Sequence, residues 1–131
     1  MRLLLDTHVW LWSLLEPERL TAPVQESLTD LDAEIWLSPV SVWETLLLAD
    51  KGRIQLDPSP VDWVDKHLGA PPMRDAPLTR QVAMASRGVD LVHDDPADRF
   101  LAATAVVYDL VLVTADRRLM DCPSMQVLAN R

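Results

Sequence analysis

Residues 93–119, HDDPADRFLAATAVVYDLVLVTADRRL, decide the fold class that we predict for this chain. Asp95 stands before a proline as an N-cap residue does, and the apolar pattern behind it predicts a helix over Pro96–Tyr108. The continuous apolar run Leu110–Val113 predicts a buried strand. A helix that leads directly into a buried strand is typical of an alternating α/β fold.

The rest of the chain repeats this alternation. We predict further strands over Arg2–Leu5, Ile35–Leu37 and Met125–Leu128, the last of them at a sheet edge. The predicted helices are Thr7–Leu15, Pro23–Leu31, a helix from Ser38-Pro39 to about Lys51, Val61–Leu68 and Leu78–Arg87. Gly52 and Gly88 are expected to end the third and the fifth of these helices, and breaks are expected at Glu16-Pro17 and Pro71-Pro72. The 131 residues suffice for one domain with one real core. We therefore expect a single domain, residues 1–131, folded as a three-layer α/β/α sandwich around a mainly parallel sheet.

Four acidic residues are placed to meet at one edge of this sheet. Asp6 directly follows the first strand, and Asp116 follows the Leu110–Val113 strand after two residues. Glu44 lies one turn inside a helix and Asp98 lies at the start of another. Because ligands of open parallel sheets bind beyond the carboxyl ends of the strands, we expect these carboxylates to converge there.

Each acid also has an ordinary structural interpretation. Asp6 could cap the helix that follows it, Ser41 and Glu44 have capping-box spacing, Asp98 could face a positive helix end, and Asp116 could end a strand in a turn. A cap contributes only about 1 kcal/mol, and Ser or Asn would serve as well. Capping also does not explain why four carboxylates share one edge. The joint pattern therefore favours a metal site, with oxygen ligands that suit Mg²⁺ or Mn²⁺.

Composition narrows the function classes. With 20 acids against 12 bases, the net charge of −8 argues against a protein that coats nucleic acid through a basic face. Cys122 is the only cysteine, so no disulfide can form within the chain. The longest apolar stretch, Phe100–Tyr108, is too short to cross a bilayer, and Leu3–Leu5 is too short for a signal peptide. We expect a cytoplasmic protein without a membrane partner.

Four segments carry a resemblance to a known family. They are LLLDTHVWLW (3–12), SVWETLLLADKGRI (41–54), HDDPADRFLAATA (93–105) and LVTADRRL (112–119). In this order they resemble the PIN domain, specifically the VapC-type toxins of bacterial toxin–antitoxin pairs. HDDPADR is the most specific of these matches, and the resemblance covers nearly the whole chain.

The resemblance implies an endoribonuclease that depends on Mg²⁺, or on Mn²⁺ as a substitute, and that a cognate antitoxin holds inactive. Asp6, Glu44, Asp98 and Asp116 match the family's acidic positions one by one. Thr114 matches a hydroxyl position beside the last acid. Related sequences often carry a lysine one turn after the glutamate, where this chain has Leu48, so no basic residue positions phosphate there.

Several neighbouring residues have less specific roles. Arg99 is expected either to help place an RNA phosphate or to orient an acid, and Arg117 and Arg118 are the candidates for a basic rim that binds RNA. We expect His93 to bond locally to the Asp94–Asp95 turn. Asp95 is expected to be a cap and Asp94 to face solvent.

The helix THVWLWSLL has almost no polar side, so it must be enclosed or covered by a partner. Because Trp10 and Trp12 cannot share a face, we expect one in the core and the other at an interface, with a second copy in a homodimer or with an antitoxin. We expect Trp36, Trp43 and Trp63 in the core.

Two other function classes compete. A magnesium-dependent phosphohydrolase also places an aspartate after its first strand, but it would want a second aspartate where this chain has His8. A non-catalytic PIN-like binding module would be favoured by a missing acid, and all four are present.

Overall fold

The computed structural model describes residues 1–69 and 73–131. The predicted break at Pro71-Pro72 lies outside the described residues. Five strands within these ranges are β1 (Arg2–Leu5), β2 (Glu34–Leu37), β3 (Arg74–Asp75), β4 (Val111–Thr114) and β5 (Gln126–Ala129). The α-helices there are α1 (Thr7–Leu15), α2 (Ala22–Thr29), α3 (Pro39–Asp50), α4 (Pro60–Gly69), α5 (Arg80–Ala85), α6 (Pro96–Tyr108) and α7 (Arg117–Met120), and Pro17–Arg19 forms one turn of 3₁₀ helix.

The strands form one sheet in the order β3-β2-β1-β4-β5, and every neighbouring pair is parallel. Strand β1 lies at the centre, where Leu3 pairs with Ile35 on one side and with Val111 on the other. The first strand and the late apolar strand are therefore neighbours, as the convergence of the acids required. Strand β5 lies at the edge, which confirms the prediction for that segment.

Alternation along the central strands builds two cores, one on each face of the sheet. Leu3, Leu5 and Val113 pack with Val9 and Trp10 on one face. On the opposite face Leu4 and Leu112 pack with residues of α6 and α7. This arrangement confirms the three-layer α/β/α sandwich with a parallel sheet. No helix within the described ranges is long and apolar enough to cross a membrane.

Capping residues set the helix bounds. Ser38, not Ser41, caps α3, because its hydroxyl accepts a hydrogen bond from the backbone N–H of Val40 at 3.0 Å. Gly52, just beyond α3, has a φ of 71°, which glycine adopts without strain. The predicted helix over Leu78–Arg87 is shorter than expected, since Thr79 caps α5 and the helix ends at Ala85. A one-turn helix, α7, begins after Asp116, so this acid caps a helix rather than ending a strand in a turn.

Candidate active site

The carboxyl ends of β1 and β4 place two acids side by side. The backbone N–H of Asp6 donates to the carbonyl of Val113 at 2.9 Å, so Asp6 leaves the sheet where β4 ends. Asp116 follows β4 and caps α7. Glu44 on α3 and Asp98 on α6 complete the set. Together these four acids line one open cavity of about 400 Å³. The cavity's other lining residues are His8, Trp12, Asp95, Ala115 and Arg118.

Hydroxyl and amide groups fix the two acids nearest the sheet. Thr114, at the end of β4, donates its hydroxyl to Asp6 Oδ2 at 2.6 Å. The backbone N–H of Thr7 donates to Asp6 Oδ1 at 2.8 Å, and its hydroxyl donates to Glu44 Oε1 at 2.6 Å. Thr114, the hydroxyl residue beside the last acid, therefore contacts the first acid. Thr7 joins two of the acids, and sequence reasoning missed it although it directly follows Asp6.

Asp98 is held by a histidine from the preceding loop. His93 Nε2 lies 2.9 Å from Asp98 Oδ2, and the other ring nitrogen, Nδ1, is buried without a hydrogen-bond partner among the described residues. The predicted local bond from His93 to the Asp94–Asp95 turn was therefore wrong, since the ring turns toward α6. Asp95 caps α6 as predicted, because its Oδ1 accepts from the backbone N–H groups of Ala97 and Asp98.

A single guanidinium bridges two of the acids. Arg118 Nη2 lies 2.9 Å from Asp116 Oδ2 and 3.3 Å from Asp98 Oδ2. Its Nε donates to Asp116 Oδ1 at 3.2 Å. Arg118 thus lies at the cavity on the α7 side.

Burial and mutual repulsion disfavour the charged forms of three acids. Burial raises the pKa of Asp6, although the hydrogen bond from Thr114 opposes this shift. Burial also raises the pKa of Glu44, and the charges of Asp6 and Asp98 add to the increase. The pKa of Asp98 is raised by burial too, against the hydrogen bond from His93. Each of these carboxylates would be stabilised by a cation in the cavity.

Asp116 behaves oppositely. The hydrogen bond from Arg118 lowers the pKa of Asp116, and that contact outweighs the effect of burial. The same pair raises the pKa of Arg118. The site therefore has three carboxylates with raised pKa values and one, Asp116, whose pKa is lowered by its arginine partner.

The donors around the cavity are oxygens, the set that hard cations such as Mg²⁺ and Mn²⁺ prefer. In the conformation described, however, no three His, Cys, Asp or Glu side chains among residues 1–69 and 73–131 are grouped closely enough to hold a metal ion together. Threonine hydroxyls, His93 and Arg118 engage the carboxylate oxygens instead. The four acids line one cavity, which agrees with the predicted convergence. To hold a metal ion together, however, their hydrogen bonds to the threonines, His93 and Arg118 would have to rearrange.

Arg99 does not lie in the cavity. Its side chain is 7% exposed and donates to five backbone carbonyls between α5 and α6. Of the two roles expected for Arg99, contact with an RNA phosphate is not supported by this geometry, because its donors are used inside the fold. It bears on the acids only by fixing the backbone of His93, whose carbonyl accepts from Nη1 at 3.2 Å. Arg117, by contrast, is exposed at the start of α7.

The tryptophans divide between core and surface. Trp10 is 2% exposed and packs edge-on against Trp63, so it belongs to the core. Trp12 is half-buried, lines the acidic cavity, and lies under the guanidinium of Arg19. The expectation that Trp43 is a core residue was wrong, since 57% of it is exposed.

Comparison with known proteins places this geometry in a family. A family model described as the PIN domain matches residues 3–123. Ribonuclease VapC22 of Mycobacterium tuberculosis is 35% identical over 117 residues, which cover 88% of each chain.

Solved structures share the fold at low identity. One is VapBC2 from Rickettsia felis bound to a DNA fragment from its promoter, with a TM-score of 0.74, 14% identity and 98% of each chain covered. Another is a toxin–antitoxin complex from Klebsiella pneumoniae, with a TM-score of 0.68, 16% identity, and 98% of this chain and 97% of the other covered. The matched residues include most of the sheet, without β5, and all four acids of the cavity, and on that match the chain belongs to the PIN domain family.

Proposed function

We propose that this chain is a metal-dependent endoribonuclease that hydrolyses RNA phosphodiester bonds and serves as the toxin of a toxin–antitoxin pair. One observation carries the proposal: four carboxylates from four separate segments line a single open cavity in a PIN domain. The relationship to Ribonuclease VapC22 supports RNA as the substrate.

Asp6, Glu44, Asp98 and Asp116 would hold the metal, and we propose Mg²⁺ as the ion with Mn²⁺ as a substitute. A bound divalent ion supplies an activated water and stabilises the leaving oxygen of a phosphodiester. The raised pKa values of three of these carboxylates support this assignment, since burial, and to a smaller extent repulsion, disfavours their charged forms and a cation in the cavity would offset both.

The chain's other residues position these ligands and the substrate. Thr114 and Thr7 hold the oxygens of Asp6 and Glu44 in place through short hydrogen bonds. Arg117 and Arg118, on the rim at α7, are the residues that we propose to bind the RNA phosphates. The exposed cations offset the acidic cavity where the polyanion must approach.

An antitoxin and a second copy of the chain are the proposed protein partners. The structural relative from Klebsiella pneumoniae is itself a toxin–antitoxin complex. A net charge of −8 favours a partner segment with basic residues, because an arginine could pair with the carboxylates of the cavity. Trp12, half-buried at the cavity, and the exposed Trp43 are two aromatic side chains that such partners could contact.

Position 8 would distinguish a phosphohydrolase, and the residue there does not support that alternative. His8 stands where that class would want a second aspartate, and its ring packs 5.9 Å from the ring of Trp12. The cavity therefore lacks the paired acids on one strand end that such an enzyme would use.

The test is to incubate the purified protein with mixed cellular RNAs in the presence of Mg²⁺, Mn²⁺ or EDTA and to read the cleavage ends. We expect defined fragments with either metal and intact RNA with EDTA. Equal cleavage in EDTA would contradict a metal-dependent mechanism. Intact RNA under every condition would contradict ribonuclease activity.

A further inference from the structure

The contact between Arg118 and the acids joins two chain segments that are otherwise separate. Arg118 Nη2 lies within 3.3 Å of one carboxylate oxygen on α6 and within 2.9 Å of another at the start of α7. Among the described residues, no other lysine or arginine forms an ion pair with any of the four acids. One guanidinium is thus the internal counter-ion of half the proposed metal-binding set.

The side chain of Arg118 can move away from the two acids without disturbing the core. Its side chain is 55% exposed, whereas the next residue, Leu119, is fully buried and anchors α7 to the sheet. Arginine carries a long, flexible aliphatic stem, so its charged end can move into solvent while the helix stays in place. Asp116 Oδ2 would then be free, and Asp98 Oδ2 would keep only its contact with His93.

We propose that Arg118 competes with the divalent metal for Asp98 and Asp116, so that this arginine holds the metal-free site in a closed, inactive form. The proposal rests on the metal site of the proposed function. A guanidinium and a metal ion use the same carboxylate lone pairs, and their positive charges repel each other at the short distance that sharing would impose. In the described conformation no three of these side chains are grouped closely enough to hold a metal ion, and Arg118 engages two of the four acids.

A matched pair of neighbouring arginines separates this competition from a general charge effect. Arg118→Ala removes the guanidinium from the two acids, whereas Arg117→Ala removes the same charge from an exposed position for which the described residues show no ion pair. Arg118→Gln provides a second variant of similar length that keeps a polar side chain. Circular dichroism establishes that each variant is folded.

The experiment is calorimetric titration of each folded variant with MnCl₂ in the absence of RNA. We expect Arg118→Ala and Arg118→Gln to bind Mn²⁺ about five- to tenfold more tightly than the unmodified chain, and Arg117→Ala to stay within about twofold. Equal changes in the Arg117 and Arg118 variants, or weaker binding on loss of Arg118, would overturn the competition. Absence of Mn²⁺ binding in every variant would overturn the metal site as well. Tighter Mn²⁺ binding by the Arg118 variants, together with intact RNA after incubation with the unmodified chain, would contradict the nuclease alone.

Discussion

Glu44→Gln should stabilise the metal-free protein, although it replaces a residue of the proposed metal site. The carboxylate accepts the Thr7 hydroxyl at 2.6 Å, and the carbonyl of glutamine can accept the same bond. No lysine or arginine among the described residues forms an ion pair with Glu44. Burial raises the pKa of Glu44, and the charges of Asp6, Asp98 and Asp95 raise it further, so the substitution removes a disfavoured charge without breaking a contact.

The magnitude follows from the electrostatics of an open cavity. Two like charges about 5 Å apart repel by about 1 kcal/mol in a fully solvated site and by about 3 kcal/mol at an effective dielectric constant of 20. Glu44 is half-buried beside an open cavity, so we expect a gain of about 1 kcal/mol. In a domain of 131 residues that gain corresponds to an increase in melting temperature of about 3–5 °C.

Thermal melting in EDTA, first near neutral pH and then in acid, measures this effect. The pKa of Glu44 in the folded chain is raised above 4.5, so its ionised form destabilises the fold above that raised pKa. The cost disappears as the pH falls toward 4.5, and the advantage of glutamine should shrink with it. Asp116→Asn is the opposite control: Arg118 lowers the pKa of Asp116, so loss of that charge should lower the melting temperature or leave it unchanged. A Glu44→Gln protein no more stable than the unmodified chain near neutral pH, or with the same advantage in acid, would refute the reasoning.

Three further predictions follow from burial. Arg99→Met should lower the free energy of unfolding, measured in urea, by about 3 kcal/mol or more, because several backbone carbonyls lose their donor. Near-normal stability together with weakened RNA binding would instead support a role for Arg99 at the phosphate. In the same assay, Trp10→Ala should cost about 3–5 kcal/mol of folding stability, whereas Trp43→Ala should cost less than about 1 kcal/mol. Similar losses in both variants would contradict the buried position of Trp10 and the exposed position of Trp43. Burial raises the pKa of Asp6 and Asp98, so acidification should begin to weaken Mn²⁺ binding at a higher pH than it would for aspartates of ordinary pKa. Calorimetry at a series of pH values measures this affinity. An affinity that stays unchanged down to the ordinary aspartate range would contradict the prediction.

Local signals carried the fold prediction a long way. The bounds of α1 and α6 agree with the predicted helices because Asp6 and Asp95 act as caps, which depend on adjacent residues alone. Strand β3 was not predicted, since two polar residues, Arg74 and Asp75, carry no apolar pattern and pair only through the neighbouring strand.

In the site, too, the features that adjacent residues determine could be predicted and the long-range contacts could not. The positions of the four acids could be predicted because strand ends and helix starts fix them. The partners of those acids could not, since Thr7 reaches Glu44 across 37 positions and Arg118 reaches Asp98 across 20. The sequence left two roles open for Arg99 for the same reason: its sequence neighbourhood is acidic, but its spatial neighbourhood is a set of backbone carbonyls.

RNA cleavage by two matched aspartate variants tests the central claim most directly. Asp6→Asn changes a carboxylate that leaves the sheet at the cavity, whereas Asp95→Asn changes one that caps α6 through backbone N–H groups, a role in which asparagine serves equally well. With Mg²⁺ or Mn²⁺ and circular dichroism to confirm folding, we predict that Asp6→Asn loses cleavage while Asp95→Asn retains most of it. Cleavage by folded Asp6→Asn at the rate of the unmodified chain would contradict the metal-dependent site.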